Sequence, residues 1–355
     1  MLNWIEALDS EALASFLSYG ISGIVSLYWI LLSVRAAVAC SYSAGEASWR
    51  APAVSILIPA HNAEETLDGL LASLSCQDYP APYEVIIALD RCTDATKSIA
   101  ERYVDKLSLR WVEIATSIPP WSPKKYALWR AAQIARYEWC IVADADVIVR
   151  ANWLSALMGK VSENEKALVG WAWLQGAGGL ISHFAAYEAA IVQVECMGRA
   201  AWSFPYMSTG RGWAIRRQWL IAGLYAWREV ISGDDDLTLQ LVPRHAVGIR
   251  EATSYSYAPR TFRAALNRKW RHLQTARYYS RWLRASLAVI PFLQLVLLPL
   301  AAFSPVALFG PPLAKSCALW IVRSPQAWMA LAFDWILLVV QTVYPIGVWL
   351  RRSRW

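Results

Sequence analysis

The chain has 355 residues, of which 57% are hydrophobic and only 17% are charged. This composition is too apolar for an ordinary water-soluble enzyme and indicates that part of the chain lies in a membrane. The net charge of +7 at pH 7 suits arginine clusters that face anionic lipid or diphosphate. No RNA- or DNA-binding motif accompanies that charge, so we expect no nucleic-acid partner.

The first element is an apolar run without charged residues, from residue 12 to residue 34. It is long enough to cross a hydrocarbon core of about 30 Å. The residues before it include Glu6 and Asp9 and no lysine or arginine, which is the reverse of a signal peptide's basic start. We therefore predict a retained transmembrane anchor within residues 1–49.

A globular domain is predicted over residues 50–284. Its strands are short apolar, β-branched runs, and its helices show apolar residues at helical spacing. The predicted elements, in chain order, are strand 54–59, helix 64–75, strand 84–89, helix 125–135 and strand 139–143. Strands that alternate with helices predict an α/β domain with a mostly parallel sheet, which binds ligands beyond the carboxyl ends of its strands.

The C-terminal region, residues 285–355, contains two further apolar runs. They predict membrane spans near residues 286–310 and 327–350, which brings the predicted number of spans to three. Several prolines interrupt the first of these runs and leave room for a re-entrant segment.

Basic residues flank the predicted spans at Arg281, Arg284 and a cluster within residues 351–354. By the positive-inside rule, the globular domain and the C-terminus are cytoplasmic in an integral protein, with a bacterial inner membrane favoured. Lys315 is then expected outside, and Asp334, the one charge in the third run, is expected near the outer interface.

Two carboxylates, Asp144 and Asp146, stand one residue apart at the end of a predicted buried strand. This arrangement suits a hard cation, Mg²⁺ or Mn²⁺, that keeps waters and takes diphosphate oxygens as further ligands. Such an ion would act as a Lewis acid on a departing nucleotide. The alternative is a simple turn that closes the strand, because a lone Asp-x-Asp is common by chance.

Three adjacent carboxylates occur at Asp234, Asp235 and Asp236. Their mutual repulsion predicts a raised pKa for at least one of them. A carboxylate with a raised pKa suits a general base near neutral pH, which could take the proton from an attacking sugar hydroxyl. The alternative is a solvated acidic loop.

Two further motifs suit the binding of a nucleotide. Asp90 ends a predicted strand, where its carboxylate could accept hydrogen bonds from a base or ribose, although many strands end in aspartate for a turn alone. Arg268 and Arg271 are three residues apart and share a face if the segment is helical. Guanidinium groups bind phosphate oxygens, and the alternative here is a basic belt on lipid headgroups.

In this order and spacing, the motifs resemble the inverting family 2 glycosyltransferases of GT-A fold, over roughly residues 53–282. The resemblance implies a metal site at Asp144 and Asp146 and a catalytic base in the acidic run, either Asp235, which we prefer, or Asp234. The implied donor-binding residues are Pro59, Asn62, Asp90, Lys124, Lys125, Arg268 and Arg271. The implied acceptor-side residues are Gly210, Arg211, Gly212, Asp236 and His272, the last standing where the family's (Q/R)xxRW motif has an aromatic residue.

The implied reaction is the metal-dependent transfer of a sugar from a nucleotide-diphosphate sugar, with a UDP-sugar favoured. We expect a membrane lipid as acceptor, by analogy with the similarly small ceramide- and hopanoid-type lipid glycosyltransferases. The main alternative is a processive polysaccharide synthase, although three spans form a poor channel in a monomer. An inactive scaffold is disfavoured, because the acidic and arginine motifs are all present.

Overall fold

The computed structural model describes residues 10–41, 51–159, 161, 164–243, 246–247 and 252–350. The first half comprises α1 (Ser10–Ser41), β1 (Val54–Ala60), α2 (Leu67–Ser75), β2 (Tyr83–Asp90), α3 (Thr96–Glu101), β3 (Leu109–Ile114), α4 (Pro123–Ile134), β4 (Trp139–Ala143), β5 (Ile148–Val149) and α5 (Trp153–Met158). The second half comprises β6 (Ala167–Val169), β7 (Trp171–Gln175), α6 (Leu180–Ala201), β8 (Arg211–Arg216), α7 (Arg217–Ala226), α8 (Asp236–Leu239), β9 (Ala246–Val247), β10 (Thr253–Tyr257), α9 (Phe262–Ala276), α10 (Arg281–Leu300), α11 (Pro305–Ile321) and α12 (Ala330–Leu350).

A seven-stranded sheet with the order β3-β2-β1-β4-β8-β6-β9 forms the centre of the domain. Strands β3, β2, β1 and β4 run parallel, whereas β8 lies antiparallel to both β4 and β6. A second sheet of three strands has the order β5-β10-β7. Strand β1 has β2 on one side and β4 on the other, so the chain reverses its direction of winding here, and ligands bind at such a point in α/β sheets.

The apolar pattern of β1 explains why it is central. Val54, Ile56 and Ile58 pack on one face with the leucines of α2, whereas Leu57 packs on the other face with α4. A strand buried on both faces reads as a continuous apolar run instead of an alternating one. The predicted strands and helices of this half correspond to β1, α2, β2, α4 and β4, and the predicted mostly parallel α/β fold is confirmed.

Two helices of the described chain are long and apolar enough to cross a membrane, α1 over Ser10–Ala39 and α10 over Arg281–Leu300. The predicted span at 286–310 is divided in the structure, because α10 ends at Leu300 and a new helix, α11, begins at Pro305. Proline suits the first turn of a helix, where its missing N–H costs nothing. The acidic residues before Ser10 and the basic cluster within 351–354 lie outside the described residues.

Asp334 and Lys315 form a buried ion pair between α12 and α11. Their side chains are 0% and 2% exposed, so each neutralises the other inside the helical unit. The Asp334 carboxylate also accepts hydrogen bonds from Tyr187 of α6 at 3.0 Å and from Gln294 of α10 at 3.1 Å. Their expected positions relative to the membrane stay predictions. The pairing itself was not predicted, because a sequence shows two separate charges and does not show that their helices pack together.

We expect Lys315→Met to lower the stability of the protein by about 3–5 kcal/mol, because it leaves the Asp334 carboxylate buried without its counter-ion. Thermal unfolding in detergent measures the effect. The double variant Lys315→Met/Asp334→Asn should recover most of the loss, since it removes both charges. Lys97→Met is the control, because Lys97 pairs with Glu113 at an exposed site. A single variant as stable as the wild type would contradict the importance of this pair.

Candidate active site

Three elements of the domain bring charged side chains to Gly210, which lies just before β8. A Cβ atom placed on Gly210 would lie 3.4 Å from Asp144 Oδ2, 3.6 Å from Asp235 Oδ2 and 3.9 Å from Lys124 Nζ. Gly210 also has φ +65°, a left-handed conformation that favours glycine. The segments after β4, before β8 and before α8 therefore meet α4 at one point, close to the ends of the central strands.

Lys124 joins the two acidic motifs. Its Nζ lies 2.8 Å from Asp144 Oδ1 and 3.1 Å from Asp234 Oδ2. Burial disfavours the charged ammonium, but Asp144 and Asp234 more than offset that effect and raise the pKa of Lys124. The lysine thus remains a cation and holds the two carboxylates near each other.

The three adjacent aspartates have different environments. Asp234 is buried, which alone would raise its pKa, but the Lys124 ammonium holds that pKa below its usual range. Burial and then the neighbouring carboxylates of Asp236 and Asp234 raise the pKa of Asp235 well above the usual value. Burial also raises the pKa of Asp236 to about 7, although the Tyr279 hydroxyl donates a hydrogen bond to it at 2.7 Å. Only Asp235 combines a raised pKa with partial exposure beside Gly210.

Lys125 does not face the same space as Lys124. Its buried ammonium donates hydrogen bonds to the carbonyl oxygens of Trp227, Val230 and Ser232 at 3.0, 2.8 and 2.7 Å. These three bonds use all the donors of an ammonium group, so none is left for a diphosphate. Burial lowers its pKa to about 8. In the structure Lys125 supports the loop that leads to Asp234 and does not reach the donor side, contrary to the expectation from sequence.

Pro59, Asn62 and Asp90 lie together at the carboxyl ends of β1 and β2. Pro59 pairs in register with Ala88 of β2, and Asn62 Oδ1 accepts a hydrogen bond from the Thr93 backbone N–H at 2.9 Å. Asp90 forms a two-bond ion pair with its neighbour Arg91, with both N–O distances at 2.9 Å. This end of the sheet can therefore offer a carboxylate and a guanidinium together to a base or ribose.

Asp94 is a residue of this loop that the sequence analysis missed. It accepts hydrogen bonds from the Thr96 backbone and hydroxyl and from the Glu64 backbone, so it joins the loop after β2 to the loop after β1. Its turn-like sequence, Asp-Ala-Thr, was the available signal, because aspartate commonly bonds the backbone two residues ahead.

The arginine motif lies on α9. Arg268 is half-buried, whereas Arg271 and His272 are exposed. Burial first and the nearby Arg211 second lower the pKa of Arg268 to about 10. The next residue, Lys269, forms an ion pair with Glu188 and thereby fixes α9 against α6. Of the predicted acceptor-side residues, Gly212 instead packs against the core, since a Cβ there would lie 2.9 Å from the Trp153 ring.

The predicted metal site consists of two carboxylates at the end of β4. Among the residues that the structure describes, no three His, Cys, Asp or Glu side chains cluster as a complete metal site. The Asp144 carboxylate nevertheless already holds one cation, the Lys124 ammonium, and Asp146 is exposed beside it. Desolvation by the surrounding protein first, and the charge of Asp144 second, raise the pKa of Asp146. Two open carboxylates fit a divalent cation that completes its shell with waters and diphosphate oxygens.

Comparison with known proteins decides the family. The family model described as Glycosyl transferase family 21 matches residues 16–350, nearly the whole chain. The chain belongs to glycosyl transferase family 21. The prediction of a glycosyltransferase is therefore confirmed, although its motifs had suggested a resemblance to family 2.

The individual proteins that this chain is similar to are only distantly related to it. The poly(ribitol-phosphate) beta-N-acetylglucosaminyltransferase TarS of Staphylococcus aureus is 31% identical over 112 residues, which are 31% of this chain and 19% of TarS. The match thus spans about a fifth of the length of that relative. Among solved structures, the mannosyltransferase PcManGT from Pyrobaculum calidifontis is similar with a TM-score of 0.54 at 20% identity, covering 96% of this chain and 95% of that chain. This likeness shows the GT-A type of fold for this member of family 21.

Proposed function

We propose that this family 21 protein transfers a sugar from a nucleotide-diphosphate sugar to a membrane lipid, with inversion at the anomeric carbon. The observation that carries the proposal is the convergence at Gly210. A carboxylate suited to a metal, Asp144, and one with a raised pKa, Asp235, both lie within about 4 Å of the point where a Cβ atom on Gly210 would stand. A metal-assisted leaving group and a general base need this proximity, because both act on one sugar.

The roles of the residues follow from their environments. Asp144 and Asp146 would hold Mg²⁺ or Mn²⁺, which when bound supplies Lewis-acid stabilisation of the departing diphosphate. Asp235 takes the proton from the acceptor hydroxyl as that oxygen attacks the anomeric carbon from the face opposite the leaving group. Asp234 stays ionised beside Lys124, so it is a poor candidate for the base.

Asp90 and Asn62 lie where the ligand site of an α/β sheet is expected, and we propose that they receive the nucleoside. Arg268 and Arg271 of α9 would face the diphosphate, because guanidinium groups suit phosphate oxygens. The PcManGT structure holds GDP-Man and Mn²⁺, and a TarS structure holds UDP-GlcNAc. Both nucleotides therefore belong in the first set of donors to test.

The contact between the catalytic domain and α10 supports a lipid acceptor. Arg199, near the end of α6, donates hydrogen bonds to the Ser286 hydroxyl and carbonyl at 3.1 and 3.2 Å. Ser286 lies in the first turns of α10, whose length and apolarity suit a membrane span. Beside this contact, the aromatic rings of Phe204 and Trp282 are 73% and 74% exposed. Large exposed rings at the start of an apolar helix suit a headgroup region.

We further propose that α1, α10 and the α12 region cross the membrane and that the catalytic domain is cytoplasmic. The charge asymmetry of the sequence supports this orientation. An acceptor hydroxyl in a lipid headgroup would then reach the Asp235 carboxylate from the bilayer surface, without a channel through the membrane.

The expected product is a lipid that is heavier by one sugar, even with excess donor. Membranes that contain the protein are incubated with labelled UDP- and GDP-sugars, and the organic extract is analysed by mass spectrometry. Membranes with the Asp235→Asn variant are the control. A label found only in water-soluble polymer would contradict the lipid acceptor and favour a processive synthase. If no donor is consumed while the protein is folded, the proposed function is wrong.

A further inference from the structure

The side chain of Arg211, the first residue of β8, is buried without a counter-ion among the described residues. It is 6% exposed, and one of its terminal nitrogens donates a hydrogen bond to the Ser256 hydroxyl of β10 at 3.3 Å. Its Nε has no hydrogen-bond partner, and no carboxylate of the described residues lies within 4.0 Å of the guanidinium. Most of the hydrogen-bonding capacity of this group is therefore unused within the described chain.

The Arg211 guanidinium cannot become neutral by losing its proton, because guanidinium groups stay charged in proteins. A buried charge with one weak partner costs free energy, whereas an apolar side chain of similar length would not. Burial lowers the pKa of Arg211, which reflects the same cost. Such a group is compatible with a stable fold when a bound anion completes its hydrogen bonds.

The surroundings of Arg211 define where such an anion would bind. The preceding residue is Gly210, beside Asp144 and Asp235. Arg268 of α9 is close enough for its positive charge and that of Arg211 to repel each other. Asp146 and Asp144 are its nearest acidic neighbours. The Arg211 guanidinium thus lies near both the proposed metal carboxylates and the arginine motif of α9.

We propose that Arg211 binds the diphosphate of the nucleotide-sugar donor and neutralises the leaving group together with Arg268. The proposal rests on the proposed function and moves Arg211 from the acceptor side, where the sequence had suggested it, to the donor side. A phosphate in a lipid headgroup has the same chemistry as a diphosphate. The position beside Asp144 and Asp146 favours the donor, because the divalent cation that these carboxylates would hold would stabilise a diphosphate.

The test measures the binding of nucleotides without turnover. Isothermal titration of the full-length protein in detergent with UDP and with GDP, both with Mn²⁺, identifies the nucleotide that the wild type binds. Arg211→Met should weaken the binding of that nucleoside diphosphate about 10- to 100-fold, since hydrogen bonds to charged groups are lost. The affinity for the corresponding nucleoside should not change. Arg211→Lys should recover part of the loss, because it restores the charge without the planar donors.

Stability provides a second readout that separates ligand binding from a structural role. Without ligand, Arg211→Met should unfold at the same temperature as the wild type or higher, because it removes a buried charge. Arg216→Met is the matched control at the other end of β8, where Arg216 pairs with Glu138. It should leave the nucleotide affinity unchanged.

Three outcomes would overturn the proposal. The first is wild-type affinity for the nucleoside diphosphate in Arg211→Met. The second is a variant that loses binding to anionic phospholipid vesicles but keeps its nucleotide affinity, which would make Arg211 a headgroup ligand. The third is loss of folding in both Arg211→Met and Arg211→Lys, which would make the role structural. If the wild type transfers sugar and Arg211→Met keeps its nucleotide affinity, only this inference is refuted. If the wild type neither binds a nucleotide nor transfers sugar, the proposed function is refuted as well.

Discussion

Asp146→Ala should abolish most sugar transfer while the protein stays folded. The carboxylate of Asp146 is exposed, so it contributes little to the core, and its charge lies close to that of Asp144. Removing it leaves Asp144 as the single protein carboxylate for a divalent cation. We expect turnover to fall by a factor of about 10² or more, because a Lewis-acid metal stabilises the leaving group by several kcal/mol. Desolvation first and the charge of Asp144 second raise the pKa of Asp146, so the folded protein disfavours this charge and its loss should leave the unfolding temperature unchanged or slightly higher.

Two measurements separate this effect from general damage. Electron paramagnetic resonance of Mn²⁺ should show weaker metal binding to Asp146→Ala in the presence of the nucleotide, and turnover should not recover fully at high Mn²⁺. Asp105→Ala is the control, because Asp105 is an exposed carboxylate outside the acidic motifs. Near-normal transfer by Asp146→Ala in the presence of a metal chelator would show that these carboxylates do not serve a metal.

The part of the fold that the sequence predicted is the part with long apolar runs. Strands β1, β2 and β4 are buried on both faces, so their continuous apolar sequences were enough to predict them as buried strands. Strand β8 was not predicted, because it begins and ends with arginine and has an apolar stretch too short to stand out. The two-residue strands β5 and β9 are set by their partners and carry no pattern of their own.

The residues of the candidate site likewise include some that the sequence predicted and some whose role only the structure could show. Asp144, Asp146 and the acidic run were visible because carboxylates after a buried strand or in a row are locally conspicuous. Neighbouring lysines 124 and 125 look equivalent in the sequence, yet one faces the acidic site and the other supports a loop. A helix turns by about 100° per residue, so adjacent side chains point in different directions, and only the position of α4 decides which faces the cleft.

Charges whose partners are distant in sequence were the least predictable. The buried pair of Lys315 and Asp334 and the burial of the Arg211 guanidinium depend on contacts between separate elements. In the sequence they are ordinary charged residues. Their burial is what makes them important for stability, because a charge costs little free energy in water and much in the protein interior.

Asp235→Asn should lower kcat by a factor of about 10² to 10⁴ with donor binding largely kept, because it preserves the shape of the side chain and removes the base. Asp234→Asn should act differently. Asp234 pairs with Lys124, so its loss should disturb the position of that lysine and with it donor binding. Turnover and nucleotide titration of both variants compare Asp235 and Asp234 as candidates for the base. Full activity of Asp235→Asn, or a product that keeps the anomeric configuration of the donor, would contradict Asp235 as the base of an inverting reaction.

The pH dependence of Asp235→Asn gives an independent check, because the same burial that suits a base also costs stability. The pKa of Asp235 is raised in the folded protein, so the folded state binds this proton more tightly than the unfolded chain does. Its contribution to stability is therefore present below the unfolded pKa of about 3.9 and is lost as the pH rises through the folded pKa. Above the folded pKa the charged form is a burden that asparagine lacks, so Asp235→Asn should there unfold at a higher temperature than the wild type. The difference should shrink as the pH falls, because the wild-type carboxyl becomes neutral in both states.

Transfer by the wild type should fall over the same acidic range, since a protonated Asp235 cannot accept the proton of the acceptor. A variant that is less active and also less stable at neutral pH would indicate that Asp235 is needed for the fold, through its hydrogen bond to the Asp236 backbone N–H, and not as a base.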